Sequence, residues 1–254
     1  MRISRLYLEG DYQAKQTLPL PKEQAHYALT VLRLKNNYLI EAFNGKGLQA
    51  TGKLIVTSRR SAYFQIERVT HPQVESPLNL TLVQGISKGD RMDYSIQKSV
   101  ELGVTRIQPI LTERCDVKLP PEKFKKRQQQ WQAIAINACE QSGRTIVPTI
   151  LPIQTYTEWL AQSFPPPSSQ ILLGLVLDPY AQQTLNHIEK PKVFENSPPP
   201  IQLLIGPEGG LTEQEVQSAT QIGLTPITLG PRVLRTETAG PAVIAILQAL
   251  WGDF

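Results

Sequence analysis

Cysteine and histidine are scarce in this sequence, at 2 and 3 of 254 residues. Cys115 and Cys139 form no CxxC pair, and two cysteines cannot build a disulfide framework. Both read as reduced thiols used as small apolar side chains. His26, His71 and His187 are scattered, without HxxxH or HExxH spacing, so no metal site is expected. Long apolar runs are missing too. No stretch approaches the ~20 residues that a membrane span needs. The start, Met1-Arg-Ile-Ser-Arg-Leu-Tyr7, has no signal-peptide apolar region. A cytoplasmic protein that makes no use of a membrane is expected. Internal repeats are absent.

What remains is an ordinary globular composition, 41% hydrophobic and 19% charged, long enough for two modest domains. The net charge of +4 is unevenly spread. Residues 1–75 hold 11 Lys and Arg against 6 Asp and Glu, and residues 76–127 hold 10 against 6. Residues 128–254 reverse the balance, with 5 against 10. A basic front with an acidic rear fits a polyanion partner, and equally a surface merely solubilised by Lys and Arg.

The first 72 residues read as short strands joined by turns. Gly10-Asp11 marks a turn, and Asn44-Gly-Lys-Gly47 after the apolar run 40–43 marks a hairpin. Runs 53–57 and 62–69 continue the meander, and one short helix is expected at 22–31. Several short strands around one helix predict a small β-barrel. Residues 70–77, with two prolines and no periodicity, read as a linker.

From residue 78 strands and helices alternate, the pattern of an α/β domain with a mostly parallel sheet. Strands are expected at 78–84, 106–111 and 171–177. Met92, Ile96 and Val100 recur every four residues, which predicts a helix ending at Gly103. A long helix is expected at 122–142, with an apolar face from Trp131, Ile134 and Ala138. Residues 165–169 and 197–200 read as Pro-rich loops. Thr212 with Glu215 three residues on is a capping box, and Gly223 ends that helix. The last helix, 241–251, is apolar nearly all round and reads as buried in a core or against a partner chain.

Two Gly/Pro-rich loops follow short apolar runs in the last third. Leu204-Ile-Gly-Pro-Glu-Gly-Gly-Leu211 is neither a Walker A loop nor GxGxxG. Leu229-Gly-Pro-Arg-Val-Leu-Arg-Thr-Glu-Thr-Ala239 carries Arg232 and Arg235 around an apolar pair. Loops at the ends of sheet strands are where α/β proteins bind ligands, and side-chain-free glycines admit a flat ligand. Apolar and backbone groups suit a planar ring, and arginines suit a phosphate or carboxylate. The plainer reading is two βα turns entering capped helices, with Thr236 or Thr238 as N-cap.

These loops, with Cys139-Glu-Gln-Ser-Gly-Arg144 and Lys88-Gly-Asp-Arg-Met-Asp93, resemble the 16S ribosomal RNA (uracil-N3) methyltransferase family of the SPOUT, or trefoil-knot, superfamily. The resemblance runs along essentially the whole chain. His26-Tyr-Ala-Leu-Thr-Val-Leu-Arg33 and Asn44-Gly-Lys-Gly47 resemble its N-terminal PUA-like barrel, here 1–72. Gln97-Lys-Ser-Val-Glu-Leu-Gly103 and Glu113-Arg-Cys115 resemble the middle of its methyltransferase domain, here 76–254. The resemblance implies a knotted S-adenosylmethionine site and a homodimer, and no metal. It also implies methyl transfer to N3 of one uridine in 16S rRNA, within an assembled or nearly assembled small subunit. By matching position, the cofactor pocket takes Leu204, Gly206, Gly209, Gly210, Leu229, Gly230, Val233 and Leu234.

The sequence departs from the family in two places. Residues 172–179 lack the His or Glu seen after the corresponding strand, where Asp178 stands nearby. Asn36-Asn37 replace a Gly-Asp turn, a change that Asn tolerates.

Uracil N3 carries a proton and is a poor nucleophile until it is lost, so a base or an anion-stabilising group is required. Glu140 is the candidate base and Arg144 the candidate stabiliser. Their spacing of four places both on one helical face, which also fits a simple ion pair. Arg235 is a second candidate, for orienting the uridine or a phosphate. Glu237, at a helix start, fits a residue complementing the helix dipole. Arg33, Arg59, Arg60, Lys125 and Lys126 are candidates for gripping RNA phosphates, and Arg91 for RNA backbone or a partner protomer. Two other readings stand beside this one. Gly85-Ile-Ser87-Lys-Gly89 matches the GxSxG of α/β-hydrolases, with Asp178 and His187 following in order. An RNA-binding protein without catalysis uses the same charge split.

Overall fold

The computed structural model describes residues 3–163, 173–190 and 200–254. The expected loop at 165–169, most of that at 197–200 and the first two residues of the strand expected at 171–177 lie outside them. The chain divides into two compact units, Met1–Glu75 with Cys139–Val147, and Ser76–Ala138 with Pro148–Phe254.

The N-terminal unit holds β1 (Ser4–Tyr7), β2 (Thr17–Pro19), α1 (Lys22–His26), β3 (Leu39–Phe43), β4 (Gln49–Ser58) and β5 (Ser61–Thr70). The helix α1 continues as one π-helical turn, Tyr27–Val31, so helical structure fills the expected 22–31. The sheet order is β1-β3-β4-β5-β2, antiparallel except for β1 and β3. Along β5, Ala62, Phe64 and Ile66 are buried while Tyr63, Gln65 and Glu67 face solvent, the period-two signature of a half-buried strand. Those inward residues pack with Leu6, Ala28, Ile40 and Leu54 into one apolar core. Asn37 adopts φ +63, so it supplies the left-handed turn that a glycine otherwise provides.

The C-terminal unit holds β6 (Asn79–Gly85), α2 (Asp90–Glu101), β7 (Arg106–Leu111), the Phe124–Ala138 part of α3 (Phe124–Ser142), β8 (Thr149–Ile150), β9 (Gln154–Thr155) and α4 (Tyr156–Ser163). It continues with β10 (Leu173–Leu177), β11 (Pro200–Ile205), α5 (Glu213–Gln221), β12 (Leu224–Ile227) and α6 (Thr236–Trp251). All pairings are parallel, in the order β12-β10-β11-β6-β7-β8, with β9 also on β7. The central strand β6 is buried from Leu80 to Gly85, as a strand covered on both faces must be. Val83, Ile110, Val176 and Leu204 stack across it with Tyr156 and Trp159 of α4.

Two helices differ from expectation. α4 gave no periodic signal over its 8 residues. α6 starts at Thr236 and carries Pro241 inside it, five residues before the expected start. The proline favours a helix beginning, but tertiary hydrogen bonds to Thr236 set the earlier one.

Candidate active site

Because β12, β10 and β11 run parallel as neighbours, their carboxyl-terminal loops emerge at one edge of the sheet. There they enclose a cleft of about 1330 Å³ within the C-terminal unit. Leu177 to Tyr180 line it after β10, Ile205 to Leu211 after β11, and most of Thr228 to Glu237 after β12. Arg91 of α2 and Arg114 complete one wall.

Buried polar bonds fix the two loops to each other. Thr236 Oγ1 donates to Gly206 O at 2.7 Å and accepts from Gln84 Nε2 at 3.0 Å. Ser95 Oγ of α2 donates to Gln84 Oε1 at 3.0 Å. Gln84, Ser95 and Thr236 are all buried, so the two bonds of Gln84 are made where water does not compete, while that to Gly206 O is part-buried. Gly206 is required by space. A Cβ there would stand 2.9 Å from Gly210 C and Leu211 N, so the loop folds tightly back on itself. α5 follows under a complete capping box: Glu215 N donates to Thr212 Oγ1 at 3.2 Å, and Thr212 N donates to Glu215 Oε2 at 2.8 Å.

Charges face each other across the cleft. Glu208 Oε1 accepts from Lys88 N at 2.9 Å and from Arg91 Nη1 at 3.0 Å. Desolvation raises the Glu208 carboxyl, but its own backbone N–H, Lys88 N–H and Arg91 together outweigh it and hold the group below the usual carboxylate range. Arg91 Nε also lies 3.9 Å from Glu237 Oε1. Arg114 reaches the carbonyls of Gly209 and Leu211. Asp178 lines the cleft, and its Oδ1 accepts from Tyr180 N at 3.0 Å. Arg232 and Arg235 are exposed on the rim.

Of the expected pocket residues, Gly206, Gly209, Gly210, Leu229, Val233 and Leu234 line this cleft, as do Arg235 and Arg91. Leu204 and Gly230 do not. Leu204 points into the sheet core with no exposed surface, and Gly230 sits in an exposed turn at φ +88.

The expected shared helical face of Glu140 and Arg144 is corrected. α3 ends at Ser142, because Gly143 takes a left-handed φ of +88 and stops the helix. Both residues belong to the N-terminal unit, with Cys139–Val147. Glu140 Oε1 accepts from Tyr7 N at 2.9 Å; burial pushes its carboxyl up, against the opposing pull of that N–H and of Arg5. Arg144 is buried and pairs with Glu75 at 2.7 Å, while Glu75 also accepts from Thr145 N and Ile146 N. These bonds tie the segment to its own unit.

Arg33, at φ +53, and Arg59 and Arg60, in the β4–β5 turn, are exposed; Lys125 and Lys126 are exposed on α3. The hydrolase alternative fails on geometry. Ser87 is 3% exposed and bonded back to Gly85 O, Asp178 holds Tyr180 N, and His187 Nδ1 lies 3.2 Å from Thr184 Oγ1. Sequence reading missed the Gln84–Ser95–Thr236 chain and the Glu208–Arg91–Glu237 cluster. A buried-strand glutamine, Gln84, directly after the run Leu80 to Val83 was the available signal.

A cleft at the carboxyl edge of a parallel sheet, walled by two Gly/Pro loops, defines an α/β ligand-binding domain, in a chain that also holds a small β-rich unit. The comparisons make this specific. Residues 74–248 match the model of an RNA methyltransferase domain, and residues 20–67 that of an RNA methyltransferase PUA domain. The chain belongs to this RNA methyltransferase family. It is 44% identical to a ribosomal RNA small subunit methyltransferase E from Neisseria gonorrhoeae, whose crystal structure holds S-adenosyl methionine. That match covers 100% of both chains with a TM-score of 0.89. Ribosomal RNA small subunit methyltransferase E of Buchnera aphidicola subsp. Acyrthosiphon pisum is 34% identical, over 100% of this chain and 96% of its own. The Bacillus subtilis protein of the same name is 30% identical, over 93% of each.

Proposed function

We propose that this protein transfers the methyl group of S-adenosylmethionine to N3 of a uridine in small-subunit (16S) ribosomal RNA. The observation that carries the reading is the cleft between the Gly206–Gly210 and Leu229–Arg235 loops, in a chain alike end to end to a relative holding that cofactor. The fit is chemical. Exposed loop backbone and the apolar Leu229, Val233 and Leu234 suit a planar adenine. Bound there, the cofactor supplies a methyl carbon on a sulfonium.

The residues of the chain then have three tasks. The two loops, locked through Thr236, hold a rigid site, and such positioning contributes ~7–11 kcal/mol to a displacement. Arg235 and Arg232 on the rim hold phosphate or the splayed base. Exposed Arg33, Arg59, Arg60, Lys125 and Lys126 take RNA phosphates without reading sequence. The uridine and its N3 are supported by the family resemblance of the two loop motifs. The homodimer, the trefoil threading of the C-terminal segment and an assembled small subunit as substrate belong to the same proposal. A buried donor demands a base swung out of its stack, so an unpaired target is favoured.

Mass mapping of small-subunit rRNA nucleosides, from cells with and without the gene, tests this. Loss of 3-methyluridine alone, restored by the wild type and not by Arg235→Ala, is expected. Loss of a different methyl mark would overturn the substrate, and no change in any mark would overturn the activity.

A further inference from the structure

We propose that Glu237 accepts the proton of the base nitrogen that becomes methylated. The inference rests on the functional reading above and deepens it. Glu237 lines the cleft, and its side chain keeps 18% of its accessible surface. Its Oε2 is shut off from solvent, and no hydrogen-bond donor among the described residues reaches it. Its Oε1 lies 3.9 Å from Arg91 Nε, beyond hydrogen-bond distance, because Arg91 is drawn to Glu208 at 3.0 Å. A carboxylate that merely complements a helix dipole sits solvated at the surface. This one is largely withdrawn from water and its Oε2 accepts no hydrogen bond, which in a folded protein calls for a role.

The chemistry matches the substrate. Uracil presents one imide N–H between two carbonyl oxygens, and a carboxylate is the acceptor that such a donor lacks here. As N3 approaches the methyl carbon, its proton passes to Glu237. The nitrogen pair forms the new N–C bond, and the methyl–sulfur bond breaks with its pair left on sulfur. Charge that develops on the uracil oxygens falls among guanidinium groups. The charged groups sharing the cleft with Glu237 are Arg91 of α2, Glu208 after β11, Arg114 after β7, Asp178 after β10, Glu213 of α5, and Arg232 and Arg235 after β12. Glu208 is already neutralised by Arg91, Asp178 is engaged with Tyr180, and the exposed Glu213 accepts from Gln217 Nε2, so Glu237 is the carboxylate left to act.

The test compares the wild-type full chain with Glu237→Gln and Glu237→Asp, using S-adenosylmethionine titrations and methyl transfer to small-subunit RNA across about pH 6 to pH 9. For Glu237→Gln, cofactor affinity stays within about threefold while kcat falls about 10²–10⁴-fold, the usual share of general-base catalysis. The Gln variant follows hydroxide, with its rate climbing about tenfold per pH unit because N3 must ionise unaided. Glu237→Asp keeps a carboxylate, so it recovers part of kcat and shows that the site still folds. An unchanged kcat and pH profile in Glu237→Gln overturns the proposal. So does a tenfold or greater loss of cofactor affinity with kcat kept at saturation, which would make Glu237 a cofactor-holding group. A wild type that methylates no base N–H overturns the functional reading, and this proposal falls with it.

Discussion

A single hydroxyl, that of Thr236, joins the strand β6 to the loop after β11 and to the start of α6. Thr236→Val keeps the shape and removes the hydroxyl. Gly206 O and Gln84 Nε2 then lose a partner, the latter in a buried setting, at a cost of about 1–3 kcal/mol. The urea midpoint is expected to fall accordingly, and S-adenosylmethionine affinity with it, because the loop that Gly206 begins is no longer anchored. Thr236→Ser restores both. A different residue-scale expectation concerns Cys139. Burial pushes its thiol up to about 12, against the opposing pull of Arg144. The sign follows directly: the reactive thiolate appears only as pH nears that value, far above neutrality. Alkylation of native Cys139 should therefore stay slow across neutral pH, with labelling tracking unfolding. Fast labelling of the folded protein at neutral pH would contradict the buried placement.

At the scale of elements, α5 shows how far local signals reach. Thr212 and Glu215 announced its start in the sequence, and both capping bonds are present. Thr212→Ala should cost about 1 kcal/mol, read as a lower unfolding midpoint. Met92, Ile96 and Val100 likewise named the buried face of α2, and β7 has the expected bounds. What stayed illegible depends on distant partners. Arg144 looked like an i,i+4 mate of Glu140, yet its carboxylate is Glu75, 69 residues away in sequence. No local pattern encodes that pair. α6 starts at Thr236 because Gln84, 152 positions away, holds it there. The cleft loops were readable from their glycines and prolines, whereas Leu204 was not separable from the core, since one apolar run serves both. Glu75→Ala tests the long-range latch. It strips a carboxylate from a buried guanidinium and from two backbone N–H groups, so a loss of about 3 kcal/mol is expected, the low end for a broken buried pair because Arg144 keeps other contacts. A change under 1 kcal/mol in denaturant melts would show that the segment is held by packing instead.

Over the whole molecule, the surplus of positive charge is confined to the first 127 residues, and the last 127 are net acidic. The chemistry is assigned to a cleft formed mainly by that acidic half, so the basic residues outside the cleft are free to act on affinity alone. Arg59 and Arg60 are exposed in a turn, far in sequence from any cleft residue, which makes them a clean probe. Phosphate contacts release counterions, and each contact to single-stranded RNA contributes a slope of about −0.7 in log affinity against log salt. Arg59→Ala with Arg60→Ala should therefore flatten that slope by up to about 1.4, weaken RNA binding most at low salt, and leave S-adenosylmethionine affinity and saturating kcat unchanged. Filter-binding titrations over a series of salt concentrations read the slope. If the slope is the same with and without these arginines, the turn does not touch RNA, and the phosphate grip must lie with Arg33, Lys125 and Lys126.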